Sequence, residues 1–428
     1  MCAHVRFTIV HSSSSHRLRA ITGINALLLA AVSGRLIRRR LIGAFFENSI
    51  RVGRRIRAEC FPFADMNERA MFAVLWVLLQ LDRLQGDTSY RSILENHDKV
   101  ISPEAKLFPN PTLAFVTPWN GRGYDVAKLY GSKFSHISPV WFRLIPGDAD
   151  CQIDGQHDID RGWLSDVRAA NPNVSIVPRF LVEYRDLESA VNFVSNEKVQ
   201  NKCFRMLTEF VQRNNFDGVV FEVYVQTQPI MKQQKMGKVG LLQTVINLAE
   251  HLKAAGKSIS LVVPPCNADG DQQSLFNPTD FRWVEPFVDF VVVMTYDYNG
   301  RNAAALGPPV APLPWVRRCM TELAKASPSS SEKLLMGINF YGYLYDADKL
   351  SAEAIIGPSY LELLREKEPT IQWDAEAAEH FTYIGQKVVT NYPSLEAVGS
   401  KIELAKELGV GVAIWEIGQG LDHFYNLL

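Results

Sequence analysis

The chain has 428 residues, 47% hydrophobic and 21% charged, with a formal net charge of −1. That is enough apolar material for a large core, with neither the basic excess of a nucleic-acid binder nor an acidic tail, so nucleic acid is excluded as a partner class. Six cysteines (Cys2, Cys60, Cys151, Cys203, Cys266 and Cys319) stand far apart with no CxxC pair. This argues against a zinc or redox motif; no metal or cofactor is expected, and the pairing is left open.

Residues 1–60 carry eleven arginines against two acidic residues, Glu47 and Glu59. That composition is like an organellar presequence or a translated upstream frame. Met71–Leu81 is an apolar run of signal-peptide length with Arg69 before it and Gly86 after it. It is too short to span a bilayer, so no stable membrane insertion is expected. The expectation is a start at Met66 or Met71, a mature chain beginning near 82–95, and a secreted, lysosomal or ER-lumenal destination. Residues 1–106 are read as presequence, signal-like segment and polar linker outside the fold, and 107–428 as one domain. Asn173-Val174-Ser175 is a glycosylation acceptor abutting a strand.

From residue 110 onward short β-branched runs alternate with helical patterns, the mark of parallel βαβ units. Strands are expected over Leu113–Thr117, Phe134–Pro139, Val174–Leu181, Gly218–Tyr224, Ile259–Val263, Phe290–Tyr296, Leu334–Phe340 and Gly411–Trp415. Helical spacing of Leu241, Val245, Leu248 and Leu252 predicts a helix over 238–255. A second is expected over 395–408, closed by Gly409, and a short last one over 421–428. The stretch after the seventh strand is too long for a βα loop. It is read as a small α+β insertion over about 345–390, in which Thr370–Trp373 is a strand and Asp374–His380 a turn or helix. The fold class is α/β, a single (β/α)8 TIM barrel of a size that routinely forms one unit.

In such a barrel the chemistry sits at the C-terminal ends of the strands. The residues expected there are Trp119, Trp141, Glu183, Glu222, Tyr224, Tyr296, Asp297, Tyr341, Trp415 and Glu416. Aromatic faces with carboxylates converging on one rim suit sugar rings, so these ten form the candidate carbohydrate-binding set. His136 reads as a satisfied barrel histidine and Trp315 as a packing residue.

The fourth strand, Phe216-Asp217-Gly218-Val219-Val220-Phe221-Glu222-Val223-Tyr224, resembles the FDGxDxDxE signature of family 18 glycoside hydrolases. Met294-Thr295-Tyr296-Asp297, Gly337-Ile338-Asn339-Phe340-Tyr341-Gly342 and Trp415 follow in the family's order, and the resemblance covers about residues 110–428. Val116-Thr117-Pro118-Trp119-Asn120, Ile137-Ser138-Pro139-Val140-Trp141 and Ile176-Val177-Pro178-Arg179 are similar to one branch of that family, the chitinase domain-containing proteins.

The resemblance implies that Val220 and Glu222 stand where active members have aspartates, and that Tyr224 stands where they have the glutamic acid that protonates the glycosidic oxygen. A phenol titrating near ~10 is a poor acid beside a carboxyl tuned to about 6. By strand alternation Val220, Glu222 and Tyr224 are expected on the barrel interior. The family's Ser-x-Gly-Gly turn after the third strand is absent, and Arg179, Leu181 and Glu183 occupy that region. Glu222 reads either as a relocated acid or as a buried carboxylate paired with Arg179 or bonded to Tyr296. Trp415 reads as a sugar-stacking floor or as core.

The function expected is a catalytically silent chitinase-like lectin binding oligosaccharides at the barrel rim. The alternatives are an atypical glycoside hydrolase using Glu222, Glu183 or Asp297, and a protein–protein adaptor with a vestigial pocket. The branch resemblance implies a scavenger-receptor sorting partner and a link to immune regulation.

Overall fold

A computed structural model describes residues 88–147, 151–233, 238–267, 275–300, 307–346 and 349–428. All belong to the unit Asp87–Leu428. The arginine-rich stretch and Met71–Leu81 lie outside the described residues.

Strand β1 (Thr112–Val116) pairs in parallel with β2 (His136–Pro139). After a break at Val140-Trp141 the same run resumes as β3 (Phe142–Pro146), from which β4 (Cys151–Asp154) folds back antiparallel. The expected third strand is likewise two pieces, β5 (Ser175–Ile176) beside β2 and β6 (Arg179–Val182) beside β3. Val177-Pro178 separates them, and Pro178 has no N–H to give a ladder. Then follow β7 (Gly218–Glu222), β8 (Ser258–Val263), β9 (Phe290–Val293) and β10 (Leu334–Asn339), each parallel to the one before. After five further strands, β16 (Gly411–Trp415) pairs with both β10 and β1. The ring of eight parallel strands thereby closes as a (β/α)8 barrel.

Runs such as Val219-Val220-Phe221 and Val291-Val292-Val293 are buried on both faces, as a sheet covered by helices requires. Leu113, Phe115, Val140, Val177, Val220, Val262, Val292, Leu335 and Ala413 fill the barrel interior, and a larger cluster fills the layer between sheet and helices. Each such Val or Leu contributes ~1.5–3 kcal/mol by leaving water. Gly218 is needed where it stands: a Cβ there would lie 2.3 Å from the Ser258 carbonyl oxygen. The neighbouring Asp217 accepts from the Ile176 N–H at 2.7 Å and from Arg168 at 2.9 Å, tying the third and fourth strands to a helix.

The insertion is a five-stranded antiparallel sheet: β11 (Gly342–Asp346), β12 (Ser351–Ile355), β13 (Thr370–Asp374), β14 (Glu379–Ile384) and β15 (Lys387–Asn391), with a helix over Gly357–Lys367. Glu379 anchors it, accepting from the N–H groups of Val310 and Ala311 at 3.0 Å and from buried Lys401 at 3.3 Å. Lys401 lies on the helix Leu395–Leu408, which ends as expected at Gly409 in the left-handed region (φ 66°). The helix expected over 238–255 is Val239–Ala254, and the last element is a 3-10 helix, Asp422–Leu427.

The polar linker expected over about 87–106 is instead structured. Residues Tyr90–Asn96 form a helix whose Ile93 enters the core. The segment after it bonds to the chain's end, Leu107 N–H to the Leu428 carbonyl at 2.6 Å and Ile101 N–H to Asn426 at 2.8 Å. Two disulfides, Cys151–Cys203 and Cys266–Cys319, join strand β4 and the loop after β8 to helices.

Candidate functional site at the C-terminal mouth of the barrel

Arg179 on β6, Glu222 ending β7 and Trp415 ending β16 meet at the mouth. Arg179 Nη1 donates to Glu222 Oε2 at 2.9 Å, with the two side chains 14% and 13% exposed, so this pair is screened little by water. The Arg179 guanidinium carbon lies 5.9 Å from the Trp415 ring centroid, and Phe115 packs on the same ring at 5.2 Å. Gln226, one turn on from Glu222, makes a long 3.5 Å contact with its other oxygen. Tyr296 is buried beside this group; burial, then Glu222 and Asp297, hold its phenol well above the ordinary range.

A second cluster surrounds Asp297, an exposed residue with φ of 56°. Its Oδ1 accepts from the hydroxyls of Tyr341 at 2.5 Å and Tyr343 at 2.9 Å. Burial and Asp297 push both phenols up, which keeps them as donors. Tyr341 stands edge-on to Tyr296 at 6.2 Å. Gly337 makes room for this arrangement, because a Cβ there would meet the Tyr296 ring at 2.9 Å. Trp119, after β1, is 69% exposed and offers the mouth an open aromatic face.

Glu416 is fully buried. It accepts from Asn120 Nδ2 and from the Gly418 N–H at 3.0 Å, joining the loop after β1 to the end of β16. Burial pushes its carboxyl up to about 7 against these hydrogen bonds. It is an internal fastening of the rim and presents no surface to a ligand. Glu183 is exposed and pairs with Arg143 at 3.0 Å, Arg143 also holding Asp154.

Besides Glu416, two more expected site residues lie away from the ligand surface. Trp141 is 4% exposed, packed edge-on to Trp163 at 5.7 Å and donating Nε1 to the Tyr124 hydroxyl at 2.7 Å. It belongs to the sheet–helix layer, as alternation from inward Val140 dictates. Tyr224 is likewise not on the barrel interior. The strand stops at Glu222, Tyr224 opens the helix Tyr224–Gln233, and its ring packs on Phe276 at 5.6 Å in the outer layer. Its hydroxyl is buried with no hydrogen-bond partner among the described residues, and burial holds it well above the ordinary phenol range. Val220 is inward, fully buried apolar core.

Sequence reading missed Tyr343, Gln226 and Asn120. Tyr341, Tyr343 and Tyr345 alternate along the chain, a strand-face signal that pointed to the first of them. Gln226 is visible only once a helix is known to start at Tyr224, and Asn120 only once Glu416 is known to be buried.

The mouth therefore holds one inward carboxylate neutralised by arginine, one outer carboxylate gripped by two phenols, and an exposed tryptophan. In solved structures, the fold is shared with a class V chitinase from Pseudomonas fluorescens Pf-5 (TM-score 0.62, 17% identity, 74% of this chain and 98% of that one). It is shared as well with a Cycas revoluta chitinase in complex with (GlcNAc)3 (TM-score 0.56, 17% identity, 74% and 97%). Among curated proteins, a cortical fragment-lytic enzyme of Bacillus anthracis is 29% identical over 185 residues, 41% of this chain and 42% of that protein. A probable chitinase 2 of Drosophila melanogaster is 22% identical over 269 residues, 54% of this chain and 53% of that protein. The chain spans about half the length of these curated relatives. The family model for glycosyl hydrolases family 18 matches residues 184–420, more than half of the sequence, and the chain belongs to that family.

Proposed function

We propose that this chain is a catalytically silent, chitinase-like member of family 18 that binds oligosaccharides at the C-terminal mouth of its barrel. The observation that carries the reading is the state of the signature strand. Glu222 is locked to Arg179, and the residue at the acid position, Tyr224, is turned into the helix layer with its hydroxyl buried. General acid catalysis needs a protonated group within hydrogen-bond reach of the leaving oxygen, and neither residue meets that need. Trp119 and Asp297, exposed on the rim, supply a stacking face and a hydrogen-bonding carboxylate.

The names of the Bacillus relatives favour a second reading, an atypical hydrolase using Glu222, Glu183 or Asp297. One experiment separates the two. The chain from residue 88 onward is applied to a glycan array and incubated with fluorogenic chitooligosaccharides between pH 4 and 8. Retention of glycans with no turnover supports the lectin; turnover abolished by Glu222→Gln or Asp297→Asn supports the hydrolase. Retention of neither kind leaves the adaptor reading, in which the rim meets a protein such as the scavenger receptor of the chitinase domain-containing branch. Two disulfides support a secreted or lumenal location, where such bonds persist.

A further inference from the structure

In the family resemblance Trp415 is the floor against which a sugar ring lies. In this chain a charged side chain stands over that floor, and Trp415 is only partly exposed. The guanidinium of Arg179 sits 5.9 Å from the Trp415 ring centroid, within cation–π range, and Phe115 packs on the ring at 5.2 Å. Arg179 is also clamped: its Nη1 holds Glu222 at 2.9 Å, and Glu222 is 13% exposed. Swinging the guanidinium aside would strand a carboxylate that has little water to replace its partner. A neutral sugar brings no charge to take the guanidinium's place. Arg179 Nε is buried with no partner among the described residues, so Glu222 and the Trp415 ring are what fix the head group.

We infer that Arg179 is the specificity-determining residue of the mouth. Clamped by Glu222 over Trp415, it shuts the floor to the apolar face of an N-acetylhexosamine and confines glycan binding to the outer rim of Trp119, Asp297 and Tyr343. This rests on the glycan-binding reading and adds which part of the mouth is open. Arg179 acts by standing in the approach to the Trp415 ring, within 5.9 Å of its centroid, while the same arginine neutralises the inward carboxylate. Closing the floor and silencing Glu222 are thus one device.

The test is titration of chitotetraose, followed by tryptophan fluorescence, on the parent and on Arg179→Met/Glu222→Gln. That pair removes both buried charges together and keeps side-chain volume. The expected result is binding about tenfold tighter than the parent, equivalent to about 1.4 kcal/mol, with a fluorescence change that disappears when Trp415→Leu is added. Arg179→Lys serves if the double variant does not fold, because it keeps a cation for Glu222 and gives up the planar cover; it should tighten binding about threefold. Folded variants that bind no tighter than the parent overturn the proposal. A parent that binds no glycan beside a double variant that binds through Trp415 upholds the gate and removes the rim reading. If no folded variant binds, the gate is overturned.

Discussion

Glu222 and Tyr224, two positions apart in the signature motif, lie in different layers of the molecule. Glu222 faces Arg179 at the barrel mouth, and Tyr224 packs on Phe276 between sheet and helices. The motif's structural half is intact, since Asp217 still ties two strands and Gly218 still lets β7 approach β8. Its other half differs from the signature, with Val220, Glu222 and Tyr224 where the resemblance puts two aspartates and a glutamic acid. A change at position 224 therefore reports on packing. Tyr224→Phe should leave stability within about 1 kcal/mol of the parent, or raise it, because the lost hydroxyl has no partner among the described residues. Tyr224→Glu should cost ~3–5 kcal/mol, the range for an unpaired buried charge, and restore no hydrolysis. Denaturant unfolding with a chitooligosaccharide assay checks both, and turnover by Tyr224→Glu would show that the position can reach the mouth.

Arg179 and Glu222 should behave as one unit in stability. Arg179→Ala leaves Glu222 buried without its cation and should cost ~3–5 kcal/mol. Arg179→Met/Glu222→Gln should recover most of that loss, because no buried charge is left behind. A double-mutant cycle measured by denaturant unfolding checks the coupling. Additive losses would mean that water already screens the pair.

The barrel was legible because its strands are buried on both faces and so read as β-branched runs between helical patterns. Leu395–Leu408 with Gly409 was legible from spacing and its terminal glycine. What escaped has local causes. The helix Tyr90–Asn96 is two turns long, and its packed face, Tyr90, Ile93 and Leu94, is too short a stripe to announce a helix among the polar residues around it. Alternation carried past Glu222 put Tyr224 inside, because nothing in the sequence says that the strand ends there. Alternation ignored at Val140 put Trp141 on the rim, where the same rule would have turned it outward. The ion pair of Arg179 with Glu222 was one of the readings open from sequence; the approach of the same guanidinium to Trp415 joins residues 236 positions apart and leaves no local pattern.

Trp119 should be the rim aromatic whose loss is felt in binding and not in stability. It is 69% exposed, so Trp119→Ala should change unfolding free energy by no more than about 0.5 kcal/mol. A sugar face covering roughly 60–100 Å² of it would gain ~1.5–2.5 kcal/mol. Its removal should weaken oligosaccharide binding about 10–50-fold. Unchanged affinity in a titration of the folded variant would place the ligand away from β1.

Asp297 holds the other side of the mouth through Tyr341 and Tyr343, with its backbone in the left-handed region. Asparagine tolerates that conformation and still accepts a hydrogen bond. Asp297→Asn should therefore retain stability within about 1 kcal/mol and lose only charge-assisted binding. Asp297→Ala deprives two phenols of their acceptor and should cost ~1–3 kcal/mol. Thermal unfolding and glycan titration of both variants separate the two effects; equal losses of stability would show that charge holds the tyrosines.

The pH dependence of stability should carry the signature of Glu416. Burial raises its carboxyl from 4.5 to about 7, so the folded chain holds this proton more tightly than the unfolded one. Its contribution is full below the unfolded value and is lost as pH rises through about 7. At 1.36 kcal/mol per unit the interval of about 2.5 units is worth at most about 3.4 kcal/mol. His380 and His423 act in the opposite sense: burial lowers both from 6.5 to about 4, so their contributions are lost as pH falls from 6.5 through about 4. With two histidines against one glutamate, the parent should gain stability from pH 4.5 to 6.5 and then level off through pH 7. Glu416→Gln resembles the protonated carboxyl, accepting from Asn120 and carrying N–H where the acid carries O–H. Relative to the parent, the variant should therefore gain up to about 3 kcal/mol between pH 5 and pH 8, with the histidine limb unchanged. Denaturant unfolding of both proteins at pH 5, 6.5 and 8 checks it. A parent-to-variant difference that does not move with pH would mean that the hydrogen bonds from Asn120, Gly418 and Thr117 keep Glu416 ionised throughout.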